Sequence, residues 1–222
     1  YHMIRFVKEY ESNRPKQHPV GITGAPIGAE ELRDGPADWI SPPGRKWLTA
    51  PPAKDGKKVL LVDTDHCNPW NHDPDGVWKN LFQGHQFILM DGYMDFRLGS
   101  PPKPDPKWDS TRRAMGRARA FAEKIDLAAL VPRPDLASTG YCLATPSAAR
   151  VKYAVYLSKG GEVTVDLGQA RGPLAVEWLS TTTGKARAGE PVAGGARRRF
   201  VAPLSGPTIL RLIGDRGDSD RD

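Results

Sequence analysis

Lys57-Lys58-Val59-Leu60-Leu61-Val62-Asp63-Thr64-Asp65-His66 reads as a buried strand that runs straight into acids and an imidazole. The apolar run Val59 to Val62 has the length and β-branched content of a strand covered on both faces. With no turn residue between, Asp63, Asp65 and His66 follow, then Cys67-Asn68-Pro69-Trp70. A buried parallel strand whose carboxyl end carries acids is where α/β barrels and open α/β sheets place their chemistry. A structural alternative stands beside it: Asp63 and Asp65 cap the next segment and His66 satisfies a backbone group.

Composition narrows the field. Of 222 residues, 39% are hydrophobic and 8% aromatic, enough for a packed core in one or two domains. The longest apolar runs are far short of the roughly 18 residues a membrane helix needs, so no membrane partner is expected. The net charge of +6 does not point to nucleic acid. Its densest basic runs, Arg112-Arg113 through Arg119 and Arg197-Arg198-Arg199, fall in an expected helix and an expected strand, without aromatic stacking platforms between them. Cys67 and Cys142 form no zinc spacing, and whether they pair is open. His66, His72 and Asp73 match no structural metal site, and neither metal nor cofactor is expected.

In chain order, Tyr1, Ile4, Phe6-Val7 and Tyr10 recur at helical spacing with no cap before them. A helix entered in this way suggests a domain whose start lies upstream. His18 to Thr23 reads as a short strand, and 25–57 as a long irregular connection. Gly76 to Gln83 reads as a short helix, and Gln86 to Met90 as a second buried strand ending in Asp91-Gly92-Tyr93. A helix is predicted from about Ser110 to Leu127. Strand and helix thus alternate with polar residues at strand ends, the pattern of the second half of a β/α barrel.

The character changes after Leu130. Lys152 to Leu157, Glu162 to Leu167, Leu174 to Leu179, Arg199 to Val201 and Thr208 to Ile213 alternate at period two between glycine and proline turns. That pattern predicts an antiparallel β-sandwich. The expected architecture is therefore α/β plus all-β: 1–135 as the C-terminal half of a (β/α)8 barrel, 136–214 as a sandwich, and 215–222 as a disordered, charged tail. The tail holds Arg216-Gly217-Asp218, which is expected to act as a solvated end rather than an adhesion motif.

His18-Pro19-Val20-Gly21, Ala37-Asp38-Trp39-Ile40-Ser41-Pro42, Asp63-Thr64-Asp65-His66 and the stretch Trp78-Lys79 through Gly84-His85 to Met90-Asp91-Gly92-Tyr93 resemble a group of bacterial glycoside-hydrolase-like TIM barrels of the apiosidase-like kind. Those barrels are followed by a small sandwich known as a collagen-binding domain of a collagenase. Tyr153 to Leu157, Gly161 to Leu167 and the Trp178 strand with Thr183-Gly184 are similar to that sandwich.

The resemblance implies a carbohydrate-active enzyme with a carbohydrate substrate, secreted or periplasmic where an upstream signal peptide directs it. Such enzymes use two carboxyl groups. Relatives carry one at the end of the fourth barrel strand, upstream of Tyr1, and one at the end of the seventh, where Asp63 and Asp65 stand. Many relatives have Glu there. Residues two apart on a strand share a face, so one acid is expected to act and the other to tune it, with Asp65 nearer the mouth. His66 joins them as a catalytic candidate. Trp70, Tyr93 and Asp91 are candidates for sugar binding, as are His18 and His85 from the shared motifs. Trp78 is a candidate too, although a Trp at a helix start is more often core, and Trp178 reads as core. With half the barrel absent, the 222-residue chain alone is expected to be inert. The rival reading is a non-catalytic binder of an extracellular polymer, collagen or glycan, through the sandwich.

Overall fold

The computed structural model describes residues 1–24, 28–67, 73–91, 105–146 and 151–214. Trp70, His72, Tyr93 and the Arg-Gly-Asp tail lie outside these residues. The chain is a mixed α/β protein that divides into two compact units, one of Tyr1–Leu81 with His85–Arg112 and one of Phe82–Gly84 with Arg113–Asp222.

The first unit holds a four-stranded sheet in the order β1 (Gly21–Thr23), β2 (Trp39–Ser41), β3 (Val59–Asp63) and β4 (Gln86–Ile88). Every pairing in it is parallel, and Asp63 stands opposite Ile88 in the β3–β4 register. Helices α1 (His2–Glu11), α2 (Ala29–Asp34), α3 (Lys46–Thr49), α4 (Thr64–Cys67) and α5 (Asp75–Phe82) punctuate the strands. Ile4, Leu32, Ile40, Trp47, Leu48, Leu60 and Val62 form one core.

Two expectations change here. The connection 25–57 is not irregular, since it holds α2, β2 and α3. β2 is only three residues long, too short to display a period, and its neighbours are prolines and glycines that read as loop. Nor is β3 covered on both faces. Leu60 and Val62 are buried, whereas Val59 is 53% exposed, so the strand alternates. In α1 only Ile4 is buried; Phe6 and Tyr10 stay exposed and stack on each other at 6.3 Å.

One glycine is required by close approach. A Cβ on Gly21 would come within 1.8 Å of the Trp39 ring on the neighbouring strand. Gly21→Ala is therefore expected to cost about 1–3 kcal/mol through overpacking. The check is a urea titration in which the midpoint falls while the slope is unchanged.

The second unit is antiparallel. A six-stranded sheet runs in the order β10 (Ala186–Ala193), β9 (Pro173–Ser180), β12 (Thr208–Gly214), β7 (Lys152–Leu157), β6 (Cys142–Ala144), β5 (Val131–Pro132). A two-stranded sheet pairs β11 (Arg197–Val201) with β8 (Glu162–Asp166). The inward residues Val163 and Val165 of β8, Phe200 of β11, Leu174, Val176 and Trp178 of β9, and Leu210 and Leu212 of β12 meet in one core. Period-two alternation made most of these strands legible. β10 was not, because all its residues are exposed or half-buried and it includes Gly189 and Pro191. The register of β10 breaks between Gly189 and Val192.

α6 (Asp109–Lys124) buries Thr111, Ala114, Ala118 and Phe121, a stripe at three- and four-residue spacing. Among the described residues no helix is long and apolar enough to cross a membrane. Cys67 and Cys142 are both free thiols.

Candidate functional site

The site forms where the parallel strands end. β3 stops at Asp63 and the chain turns at once into α4, so Asp65 and His66 sit on a helical turn rather than on the strand. Alternation along β3 therefore does not bring the two acids together; the tight strand-to-helix turn does. Thr64, buried at this turn, accepts the Met90 amide at 2.8 Å and ties the end of β3 to the chain leaving β4.

Asp63, Asp65 and His66 each bring one donor atom within 4.8 Å of the others. Among the described residues they are the group whose geometry could share a metal ion. The Asp65 amide lies 3.4 Å from Asp63 Oδ1. His66 Nε2 lies 3.5 Å from Asp65 Oδ1, and His66 Nδ1 lies 3.0 Å from the hydroxyl of Ser41, a buried residue at the end of β2. Burial raises the Asp63 carboxyl above its ordinary pKa, and the adjoining Asp65 side chain raises it further. Asp63 thus keeps its proton more readily than a solvated carboxyl.

Cys67 closes the turn, with its sulfur 3.6 Å from the Pro42 carbonyl. Burial, reinforced by Asp63 and Asp65, pushes its thiol up to about 12, so it is no nucleophile near neutral pH.

Asp91 follows β4 at the same end of the sheet. It is gripped by a forked ion pair: Arg112 Nε and Nη2 each donate to one of its oxygens at 2.6 Å. Arg112 Nη1 also donates to the Asp105 carbonyl at 3.1 Å and to Asp109 at 2.9 Å. These contacts hold the guanidinium firmly charged. Asp91 is thus anchored by Arg112, with 27% of its side chain still exposed.

The two motif histidines are elsewhere. His18 precedes β1, at the opposite end of the parallel strands from Asp65, and its exposed ring contacts Glu11 Oε1 at 2.7 Å. His85 precedes β4, also at that opposite end. It is 4% exposed and packs edge-on against Trp47, with ring centroids 5.8 Å apart. Trp78 is buried in α5, 2% exposed, and presents no stacking face to solvent. Sequence reasoning missed Ser41 and Arg112. Ser41 carried a faint signal, a polar residue closing the apolar stretch Trp39-Ile40.

His85 makes the unit pH-sensitive. Its Nε2 lies 2.6 Å from the Pro52 carbonyl, which can only accept, so Nε2 carries the hydrogen and Nδ1 is left buried and unpaired among the described residues. Burial lowers the ring's pKa, against the smaller opposing effect of the Pro52 bond. The unfolded chain takes up a proton near pH 6.5 while the folded ring stays neutral. Stability is therefore complete above that pH and is lost as pH falls toward the lowered folded value, by up to about 1.4 kcal/mol per pH unit. Urea titrations at neutral and mildly acidic pH are expected to show a smaller loss in His85→Gln, which keeps a donor for Pro52.

No family model matches the chain, and no curated protein matches its sequence. Solved structures do. One is a glycoside hydrolase, with a TM-score of 0.51 and 13% identity, covering 80% of this chain and 47% of that one. Another is a glycoside hydrolase family 5 protein from Bacteroides vulgatus ATCC 8482, with a TM-score of 0.53 and 15% identity, covering 80% and 46%. The chain spans a little under half the length of each. At this identity the likeness is one of fold, and the chain has a glycoside-hydrolase-like fold.

Proposed function

We propose that the chain is part of a carbohydrate-active hydrolase, with the parallel unit as the C-terminal half of a (β/α)8 barrel and the antiparallel unit as an appended β-sandwich. The observation that carries this reading is the meeting of Asp63, Asp65 and His66, within 4.8 Å, at the carboxyl ends of parallel strands. That edge is where barrels hold their chemistry.

Glycoside cleavage takes two carboxyl groups flanking the bond, about 5 Å or more apart. Asp63 and Asp65 are too close to straddle it, so they serve as one acting group and its neighbour. Asp65 is the nucleophile or base. Burial, reinforced by Asp65, makes Asp63 hold a proton more readily than a solvated acid, which suits it as the neighbour rather than the acting group. His66, oriented by Ser41, turns Nε2 toward Asp65. The second carboxyl belongs to an upstream strand, as the family resemblance implies. Asp91, pinned by Arg112, shapes the rim.

The test joins this chain to the upstream barrel half that the reading requires and measures reducing ends released from neutral polysaccharides. Release is expected from the joined protein and none from the 222-residue chain alone. A joined, folded protein that cleaves no polysaccharide would overturn the reading, and so would cleavage by the isolated chain.

A further inference from the structure

The antiparallel unit holds a cavity of about 270 Å³, lined among others by Arg133, Asp135, Thr145, Tyr153, Asp166 and Gln169. This lies just below the roughly 300 Å³ at which pockets for drug-sized ligands begin, so it suits one small molecule. Three features say which kind.

The charges on the wall are already balanced. Arg133 forks onto Asp135, with Nε donating at 2.9 Å and Nη2 at 2.6 Å, and Arg197 Nε donates to Asp166 at 3.1 Å. An ionic ligand would have to displace a partner that is already in place. The wall nevertheless mixes donors and acceptors. Paired carboxylates keep spare lone pairs, and the Gln169 amide offers both kinds of group. The third feature is Tyr153. Its ring is buried, 4% of the residue being exposed, and it lines the cavity, where its hydroxyl makes no hydrogen bond to a described residue and stays open to solvent. A tyrosine hydroxyl left open in this way can donate to and accept from a ligand. Leu136 and Val151 supply an apolar stretch of wall.

We infer that this cavity binds one uncharged, polyhydroxylated residue of a glycan, whose hydroxyls meet Tyr153, Gln169 and the free lone pairs of Asp135 and Asp166. Its C–H face rests on Leu136 and Val151. The pocket shares no residue with the Asp63–Asp65–His66 cluster and does not depend on the catalytic reading.

The test is a two-dimensional amide NMR titration of the whole chain with methyl β-D-glucopyranoside and methyl β-D-xylopyranoside. Saturable shifts are expected at Thr145, Tyr153, Asp166 and Gln169 with at least one glycoside. Tyr153→Phe keeps the buried ring and removes only the hydroxyl, and should weaken binding about tenfold. Gln169→Ala, an exposed change at the rim, should weaken it as well, while Asp65→Asn should leave it unchanged. That last variant separates this pocket from the strand-end site. Non-saturating shifts with both glycosides would overturn the inference. Binding unaltered in both pocket variants would do so too, as would tighter binding of glucose 6-phosphate than of the neutral sugars.

Discussion

Asp65→Asn in the joined hydrolase is expected to lower turnover by roughly 10²–10⁴-fold, the range over which a positioned carboxyl assists a reaction. In barrier height this is about 3–5 kcal/mol. Asparagine keeps the shape of the side chain and its contact with His66, but it can neither attack an anomeric carbon nor take a proton from water. The change is read from initial rates at saturating substrate, so that a loss in binding is not mistaken for a loss in chemistry. Asp63→Asn is the control. It removes the neighbour and not the acting group, and its rate should fall well short of the Asp65 loss. Equal losses from the two substitutions would show that the acids act as one inseparable unit and would withdraw the separate roles given to them.

The second large effect is on stability. Trp178→Ala is expected to destabilise the antiparallel unit by about 3–5 kcal/mol. Trp178 is 4% exposed and pairs in register with Leu210 of β12 on one side and Arg187 of β10 on the other. Gly189 of β10 lies so close that a Cβ there would come 2.8 Å from Val176 and 3.4 Å from the Trp178 ring nitrogen. The indole therefore fills space that no neighbour can collapse into, and its loss leaves a cavity. Urea unfolding followed by amide exchange at β9 and β12 checks this, because those strands should lose protection first if the cavity opens there.

How much of this was legible in the sequence depended on the distance over which each signal acts. The strand at Val59 to Asp63 announced itself through five adjacent residues, and the antiparallel strands through local alternation. β2 was hidden because three residues display no period. The burial of His85 was hidden for a different reason: a histidine in a shared motif looks the same whether it faces a ligand or sits against Trp47. Ser41 and His66 are 25 positions apart, and nothing short of the parallel pairing of β2 with β3 brings them to 3.0 Å. Asp91 stands just beyond a strand end as read, but its pairing with Arg112 spans 21 residues, and no local pattern announces it. The residue types at the site were readable; their partners were not.

The two outer strands of the six-stranded sheet share an economy of a different sort. β10 carries Pro191 and a break in register, and β5 is two residues long and ends in Pro132. A proline has no amide hydrogen, and a broken register bends the backbone away from a straight ladder. Neither border presents the continuous row of donors and acceptors that an unfolded neighbour needs to lay down a further strand. The hydrophobic centre strands β9, β12 and β7, which would seed cross-β stacking if uncovered, are screened on both flanks before they can meet another chain. The sheet is thus guarded against fibril growth by the proline-bearing strands at its two borders.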